Sequence, residues 1–283
     1  MIPFTKAHAC GNDFLIVPEE AAAGHDLAAL ARLLCQRNTG IGADGIEFFS
    51  WKNESGPGSR SGRIRLHNAD GSIAEISGNG TRCVAAWMAH SLGSKPGDTL
   101  EITTDAGLRA CQIVSVSNEN GFSVEVTTAM GVPRFVPHTL KLIDGVDVVG
   151  VEVSTGNPHF VVLVEKPDFA VGKRAWMGLG AEIYTHRDFP QQTNVEFVRV
   201  VSEHEIEIRI FERGVGPTNS SGTGSSAAAT AALALRRCLS PLKVVAPGGA
   251  QTVAWDGPGT ELHLTGPAAL IARGEAWSGD LVT

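Results

Sequence analysis

The sequence predicts a mixed α/β (α+β) protein: two pseudo-symmetric domains from an internal duplication, each a curled, mostly antiparallel sheet wrapping a central helix. Three observations predict it. First, two long motifs share one layout: Asn68-Ala-Asp-Gly-Ser-Ile-Ala-Glu-Ile-Ser-Gly-Asn-Gly-Thr-Arg82 and Glu212-Arg-Gly-Val-Gly-Pro-Thr-Asn-Ser-Ser-Gly-Thr-Gly-Ser-Ser226. Each follows an alternating apolar strand, each contains Ser-Gly-Asn/Thr-Gly (Ser77 to Gly80, Ser221 to Gly224), and each opens a helix. Second, further segments match in the same order at an offset of roughly 140 residues, a domain-sized period. Gly11-Asn-Asp-Phe-Leu-Ile-Val17 matches Gly156-Asn-Pro-His-Phe-Val-Val162, and Gly45-Ile-Glu-Phe-Phe49 matches Asn194-Val-Glu-Phe-Val198. Third, short strands with Gly and Asn turns outnumber helices, unlike an alternating parallel βαβ stack.

The elements follow in order. Phe4 to Val17 reads as a strand interrupted at Cys10-Gly-Asn-Asp13. Asp26 to Gln36 reads as a helix, N-capped by Asp26, with apolar Leu27, Leu30, Leu33 and Leu34. Thr39-Gly-Ile-Gly-Ala-Asp-Gly45 is a glycine loop entering the strand Ile46 to Trp51, and Asn53 to Ser61 is a turn. After the strand Arg63 to His67 and the first Ser-Gly loop, the helix is expected over Cys83 to His90. Strands follow at Leu100 to Thr104, Leu108 to Val116 and Phe122 to Thr128. Pro133 to Asp147 carries few helix signals and reads as a linker. Strands Val148 to Ser154 and His159 to Val164, a helix over Asp168 to Leu179 and strands Val195 to Val201 and Glu207 to Phe211 come next. The second Ser-Gly loop then opens an Ala-rich helix, Ala227 to Leu235. Strands at Val244-Val245, Thr252 to Trp255, Glu261 to Thr265 and Leu270 to Trp277 close the chain. The domains are expected over 1–130, joined by the strand near 270–283, and over 131–269, with the active site in the cleft between them.

A chain of 283 residues suffices for two domains with their own cores. A net charge of −7 without Lys/Arg clusters argues against a nucleic-acid partner. No apolar run approaches the roughly 18 residues of a membrane span, and the start Met1-Ile-Pro-Phe-Thr-Lys lacks a signal-peptide layout. Five scattered cysteines, without a Cys-x-x-Cys pair, argue against a disulfide framework or a structural zinc site and for a reducing cytoplasm.

A glycine-rich turn entering a helix gathers backbone N–H groups and the positive end of the helix dipole, which suits a carboxylate or phosphate. No Gly-Lys-Ser/Thr follows these glycines, and the dinucleotide-binding spacing is absent. Paired loops suit a symmetric reaction: one group removes a proton from one face of a carbon and the other returns one to the opposite face.

The motif Asn68-Ala-Asp-Gly-Ser-x-x-Glu-x-x-Gly-Asn-Gly-x-Arg-Cys83, with Gly11-Asn-Asp-Phe14, Gly156-Asn-Pro-His159, Asn194-Val-Glu-Phe197 and Glu212-Arg-Gly-x-Gly-x-Thr218, resembles the diaminopimelate epimerases over nearly the whole chain, apart from a serine at position 77. The resemblance implies a duplicated two-domain fold, interconversion of LL- and meso-diaminopimelate without pyridoxal phosphate or metal, a place in lysine and cell-wall synthesis, and a homodimer. It also implies roles. Gly78, Asn79, Gly222 and Thr223 would present helix-end amides to the reacting carboxylate. Asn68 and Glu212 would hold the reacting amino group, and Asn12, Asn157, Asn194 and Arg213 the distal end, with His159 beside the same site. Singly, these residues also read as turn asparagines, a structural histidine and a surface ion pair.

The departure lies at the two catalytic positions. The resemblance implies cysteines there, and this chain carries Ser77 and Ser221. A thiol ionises near pH 8.5, and lower at a helix N-terminus; a serine hydroxyl needs a neighbouring base. Three readings follow: substituted cysteines, a Ser/Ser enzyme that still isomerises its substrate, or a diaminopimelate-binding homologue without chemistry. Another isomerase or racemase of the superfamily is the alternative within enzymes. Cys83 is the nearest thiol in sequence, without an assigned role.

Overall fold

The chain opens on a hairpin. Strands β1 (Ile2–Ala9) and β2 (Asn12–Pro18) pair antiparallel across Cys10 and Gly11, both at positive φ, 51° and 78°. Two successive left-handed residues match the twist of the flanking strands, so the expected interruption is a tight hairpin turn. A computed structural model describes residues 1–52 and 59–277. Most of the Asn53–Ser61 turn and the last part of the 270–283 strand lie outside the described residues.

Two units divide the chain: Met1–Thr128 with Gly266–Thr283, and Ala129–Thr265. In the first, β2 leads through α1 (Leu27–Leu34) to β3 (Gly45–Trp51), which lies parallel to β2. The Asp26 carboxylate accepts from the amides of Ala28 and Ala29, so the expected cap forms. Strand β4 (Ser61–Asn68) pairs antiparallel with β3 and carries the short β5 (Ile73–Ala74). Helix α2 (Gly78–Leu92) then crosses to β6 (Thr99–Thr104), parallel to β4, followed by β7 (Gly107–Ser117) and β8 (Ser123–Ala129).

The second unit repeats this order. After β9 (Arg134–Lys141) and β10 (Asp147–Ser154), β11 (Pro158–Val164) leads through α3 (Trp176–Ile183) to a parallel β12 (Asn194–Ser202). Then β13 (Glu205–Glu212), with the short β14 (Gly216–Thr218), leads through α4 (Gly222–Ala234) to β15 (Leu242–Ala246), parallel to β13. Strands β16 (Gly249–Ala254) and β17 (His263–Ala276) finish the chain; β17 pairs with β16 at its start and with β1 further on. Parallel pairs at the same two places in each unit, among antiparallel ones, are the structural trace of duplication.

Helices α2 and α4 are buried along most of their length, among sheet residues such as Ile64, Leu66 and Ile102 in one unit and Ile206, Ile208 and Val244 in the other. A helix enclosed on all sides needs no polar stripe. Small residues such as Ala227, Ala228 and Ala231 let strands approach it closely.

Three expectations change. Pro133 to Asp147 is not a linker: it contains β9, which among the described residues pairs with β10 alone. Pro137 sits inside it, tolerated because edge strands need not donate on both sides. The helix expected over Asp168 to Leu179 begins only at Trp176. Asp168 accepts the Ala170 amide, and Phe169 and Gly172 both adopt φ 62°, which ends any helical run there. The strands expected at Glu261–Thr265 and Leu270–Trp277 are one strand, β17. No helix among the described residues is long and apolar enough to cross a membrane.

Candidate active site

Helices α2 and α4 begin earlier than their apolar residues indicate, at Gly78 and Gly222, so Ser77 and Ser221 are their N-caps. Each serine does the same local work. Ser77 Oγ accepts from the Gly80 amide at 3.0 Å and Ser221 Oγ from the Gly224 amide at 3.1 Å. Their carbonyls take the amides of Thr81 and Ser225. The Gly78, Asn79, Gly222 and Thr223 amides belong to the first turn, where helix geometry supplies no carbonyl four residues back.

In the first unit a polar chain runs from α2 to the surface. Arg82, fully buried, donates to Asn79 Oδ1 at 2.5 Å; Asn79 Nδ2 donates to Asn12 Oδ1 at 3.1 Å; and Asn12 Nδ2 donates to Asp44. Arg37 bridges Asp44 and Asp13, and Lys6 also meets Asp13. Burial pushes the Asp13 carboxyl up, but its Arg37 and Lys6 partners outweigh that and hold it below the usual carboxylate range. Asn68 ends β4 opposite Gly45 and donates to Ser72 Oγ at 3.0 Å.

In the second unit Asn157, His159, Ser221 and Thr223 are joined. The His159 ring meets Glu196 Oε1 at 2.8 Å through Nδ1 and Asn157 Oδ1 at 2.9 Å through Nε2. Asn157 Nδ2 donates to Thr223 Oγ1, and Thr223 Oγ1 meets Ser221 Oγ, both at 3.4 Å. Asn194 Oδ1 accepts the Arg213 amide at 2.9 Å, and its Nδ2 donates to the Pro158 carbonyl at 3.0 Å. Glu212 ends β13, as Asn68 ends β4. The Arg213 guanidinium is exposed and donates to the Gln191 carbonyl at 3.2 Å.

Two buried carboxyls lie behind the serines. Glu47 on β3 and Glu196 on β12 occupy matching places in the repeat and are both fully buried. A Cβ placed on Gly80 would collide with Glu47 Oε1 and stand 3.2 Å from Ser77 Cβ. One placed on Gly224 would stand 2.8 Å from Glu196 Oε1 and 3.2 Å from Ser221 Oγ. Each serine and its carboxyl thus share the open face of a glycine. Burial pushes the Glu47 carboxyl up to about 8. Burial also raises Glu196, against the pull of His159. Cys83 is fully buried and its thiol is pushed up, which disqualifies it as an easy base. A Gly80→Ala variant is expected to lose about 1–3 kcal/mol of stability, because the methyl must displace Glu47 in a packed core; urea unfolding beside the parent chain measures it, and an unchanged midpoint contradicts the close approach.

Sequence reasoning assigned no role to Glu47, Glu196, Arg82 or Asp44. The signal was present for the first two: a single carboxyl inside an otherwise apolar strand, Gly45-Ile-Glu-Phe-Phe49 and Val195-Glu-Phe-Val198. An ionisable side chain in a strand buried on both faces needs a reason.

The diaminopimelate epimerase family model matches residues 4–136 and 151–271. The chain belongs to this family. A diaminopimelate epimerase of Corynebacterium glutamicum is 38% identical over 279 residues, covering 97% of this chain and 98% of the relative. One from Thermosynechococcus vestitus is 36% identical, covering 96% and 98%. Among solved structures, a hydroxyproline epimerase from Agrobacterium vitis superposes with a TM-score of 0.69 at 16% identity, over 99% of this chain and 94% of its own. A Bacillus anthracis phenazine biosynthesis protein gives 0.67 at 18% identity, over 96% and 98%. At such identities the structures speak for the fold, and the duplicated α/β architecture of this family is the one found here.

Proposed function

We propose that this chain is a cofactor-independent isomerase that interconverts LL- and meso-diaminopimelate by moving the proton on one α-carbon. The observation that carries the reading is the repeated local arrangement: a serine capping a buried helix, first-turn amides beside it, and a buried carboxyl behind it, once in each unit. Ser77 and Ser221 form the two-face acid/base pair. The reacting carboxylate lies at the amides of Gly78, Asn79, Gly222 and Thr223. There the helix ends stabilise the negative charge that enters the carboxylate as the α-proton leaves. Asn68 and Glu212 take the reacting amino group.

Diaminopimelate has an amino-acid group at both ends, so the distal end needs its own carboxylate and ammonium partners. Asn12, Asn157, Asn194 and Arg213 serve there, with His159 beside them. Arg213 is exposed and planar, able to grip a carboxylate with two parallel donors. The working form is a homodimer in the cytoplasm, a reading supported by the family and, for the compartment, by five buried cysteines that form no disulfide.

The test is α-hydrogen exchange in D₂O, followed by proton NMR on LL- and on meso-diaminopimelate separately. Loss of the α-hydrogen signal together with appearance of the other epimer is the expected result. Binding without exchange, in the parent chain and in a Ser77→Cys/Ser221→Cys variant alike, would falsify the assignment.

A further inference from the structure

We propose that Glu47 is the proton acceptor behind Ser77, supplying the base that a serine at this position otherwise lacks. The inference rests on the epimerase reading above and adds a residue to it.

Three features converge on Glu47. It sits in the middle of β3 between Ile16 and Leu66 on the flanking strands, so its sheet neighbours offer no charge. Both carboxyl oxygens are shut from solvent, and neither meets a hydrogen-bond donor among the described residues. Such a group costs stability unless something uses it. It lies near Ser77, without a hydrogen bond to it: its Oε1 and the serine Cβ both lie against the bare face of Gly80. The other unit repeats the design with Glu196, Gly224 and Ser221. There, however, His159 engages the carboxyl and leads through Asn157 and Thr223 to the serine. The place of His159 in the first unit belongs to Phe14, since β2 sets Phe14 opposite Gly45 as β11 sets His159 opposite Asn194. Ser77 therefore has Glu47 behind it and no histidine.

The step balances without a further reactant. With Ser77 Oγ and Glu47 closed from their present separation to hydrogen-bond distance, the α-carbon–hydrogen bond breaks and its proton passes to Ser77 Oγ, while the hydroxyl proton passes to the Glu47 carboxylate. The electron pair stays on the substrate, spread into its carboxylate. In the reverse direction protonated Glu47 returns a proton through Ser77. The titratable group facing Glu47 from α2 is Cys83, with Arg82, Asp13 and Cys10 beyond it. Burial keeps the Cys83 thiol neutral, so Glu47 is the group that titrates. With its carboxyl near 8, proton removal through Ser77 rises with pH up to about that value.

The test compares α-hydrogen exchange in the parent chain, Glu47→Gln, Ser77→Cys, the Glu47→Gln/Ser77→Cys pair and Ser77→Cys/Ser221→Cys. The expected result has three parts. Glu47→Gln lowers kcat for the epimer whose proton faces Ser77 by about 100-fold or more, the usual worth of a general base, with KM nearly unchanged. It also removes the alkaline rise in the pH profile. Adding Ser77→Cys to Glu47→Gln restores exchange, because a thiolate forms without the carboxyl. Retained exchange of the epimer whose proton faces Ser77, in a folded Glu47→Gln, overturns the inference. So does a silent Glu47→Gln/Ser77→Cys pair beside an active Ser77→Cys, which marks Glu47 as a packing group. A silent parent chain beside an active two-cysteine variant overturns it too, yet leaves the substrate assignment standing. Silence in every variant brings down the substrate assignment and the inference together.

Discussion

Replacing Ser221 with alanine is expected to slow conversion of LL- into meso-diaminopimelate about a thousandfold, within the range spanned by a lost general acid or base. Affinity for the ligand should change by less than about tenfold, or about 1.4 kcal/mol. The first-turn amides of α4 remain, and Asn157, Asn194 and Arg213 are untouched. What the substitution removes is a hydroxyl with two local duties. Ser221 Oγ accepts the Gly224 amide and meets Thr223 Oγ1, at 3.1 Å and 3.4 Å. Loss of the cap costs about 1 kcal/mol, a shift of a few degrees in Tm that leaves the protein folded. A thousandfold loss of conversion cannot arise from that shift. The two-face scheme adds a sharper sign: Ser77 still removes and returns a proton on its own face, so one epimer should exchange its α-hydrogen for deuterium without being converted. The readout is deuterium content and epimer ratio from the same sample. Conversion at the parent rate in Ser221→Ala would remove this serine from the chemistry.

The duplication was legible because it is written in order: two loops, two Gly-Asn segments and two apolar strands at one offset. The paired serines were legible as the residues just ahead of two helices. The true helix starts were less so. Gly78 and Gly222 are poor helix formers, and only the serine caps and enclosing sheets make them helical. Strand β9 was hidden by Pro137 and by an exposed face without clean alternation, as suits an edge. The polar network through Arg82, Asn79, Asn12 and Asp44 joins residues distant in sequence, so no local pattern announces it. Glu47 and Glu196 were visible as letters, but their meaning depends on two glycines of the facing helices, which sequence spacing does not bring beside them.

A second large effect is expected in the pH dependence of stability. Glu47 ionises near its ordinary value of 4.5 in the unfolded chain and near 8 when folded. Below pH 4.5 both states hold the proton and the group contributes nothing to the pH dependence. As pH rises toward 8 the unfolded chain releases a proton that the folded chain keeps, so stability falls across this window. Above it both states have lost the proton and the decline ends. Each pH unit between the two values is worth about 1.4 kcal/mol, which sets an upper bound of about 5 kcal/mol for the whole window. Glu196 adds to the decline in the same direction, while Asp13, held low by Arg37 and Lys6, acts at more acid pH. Glu47→Gln removes one titrating group and should flatten the slope of unfolding free energy between pH 5 and 8 by up to about 1.4 kcal/mol per pH unit. Urea midpoints of both chains at four pH values in that range measure it. Parallel slopes would mean that Glu47 is ionised in the folded chain at neutral pH, with a compensating cation beside it. A flattened slope together with lost exchange through Ser77 would mean that the same burial that costs stability gives the serine its base.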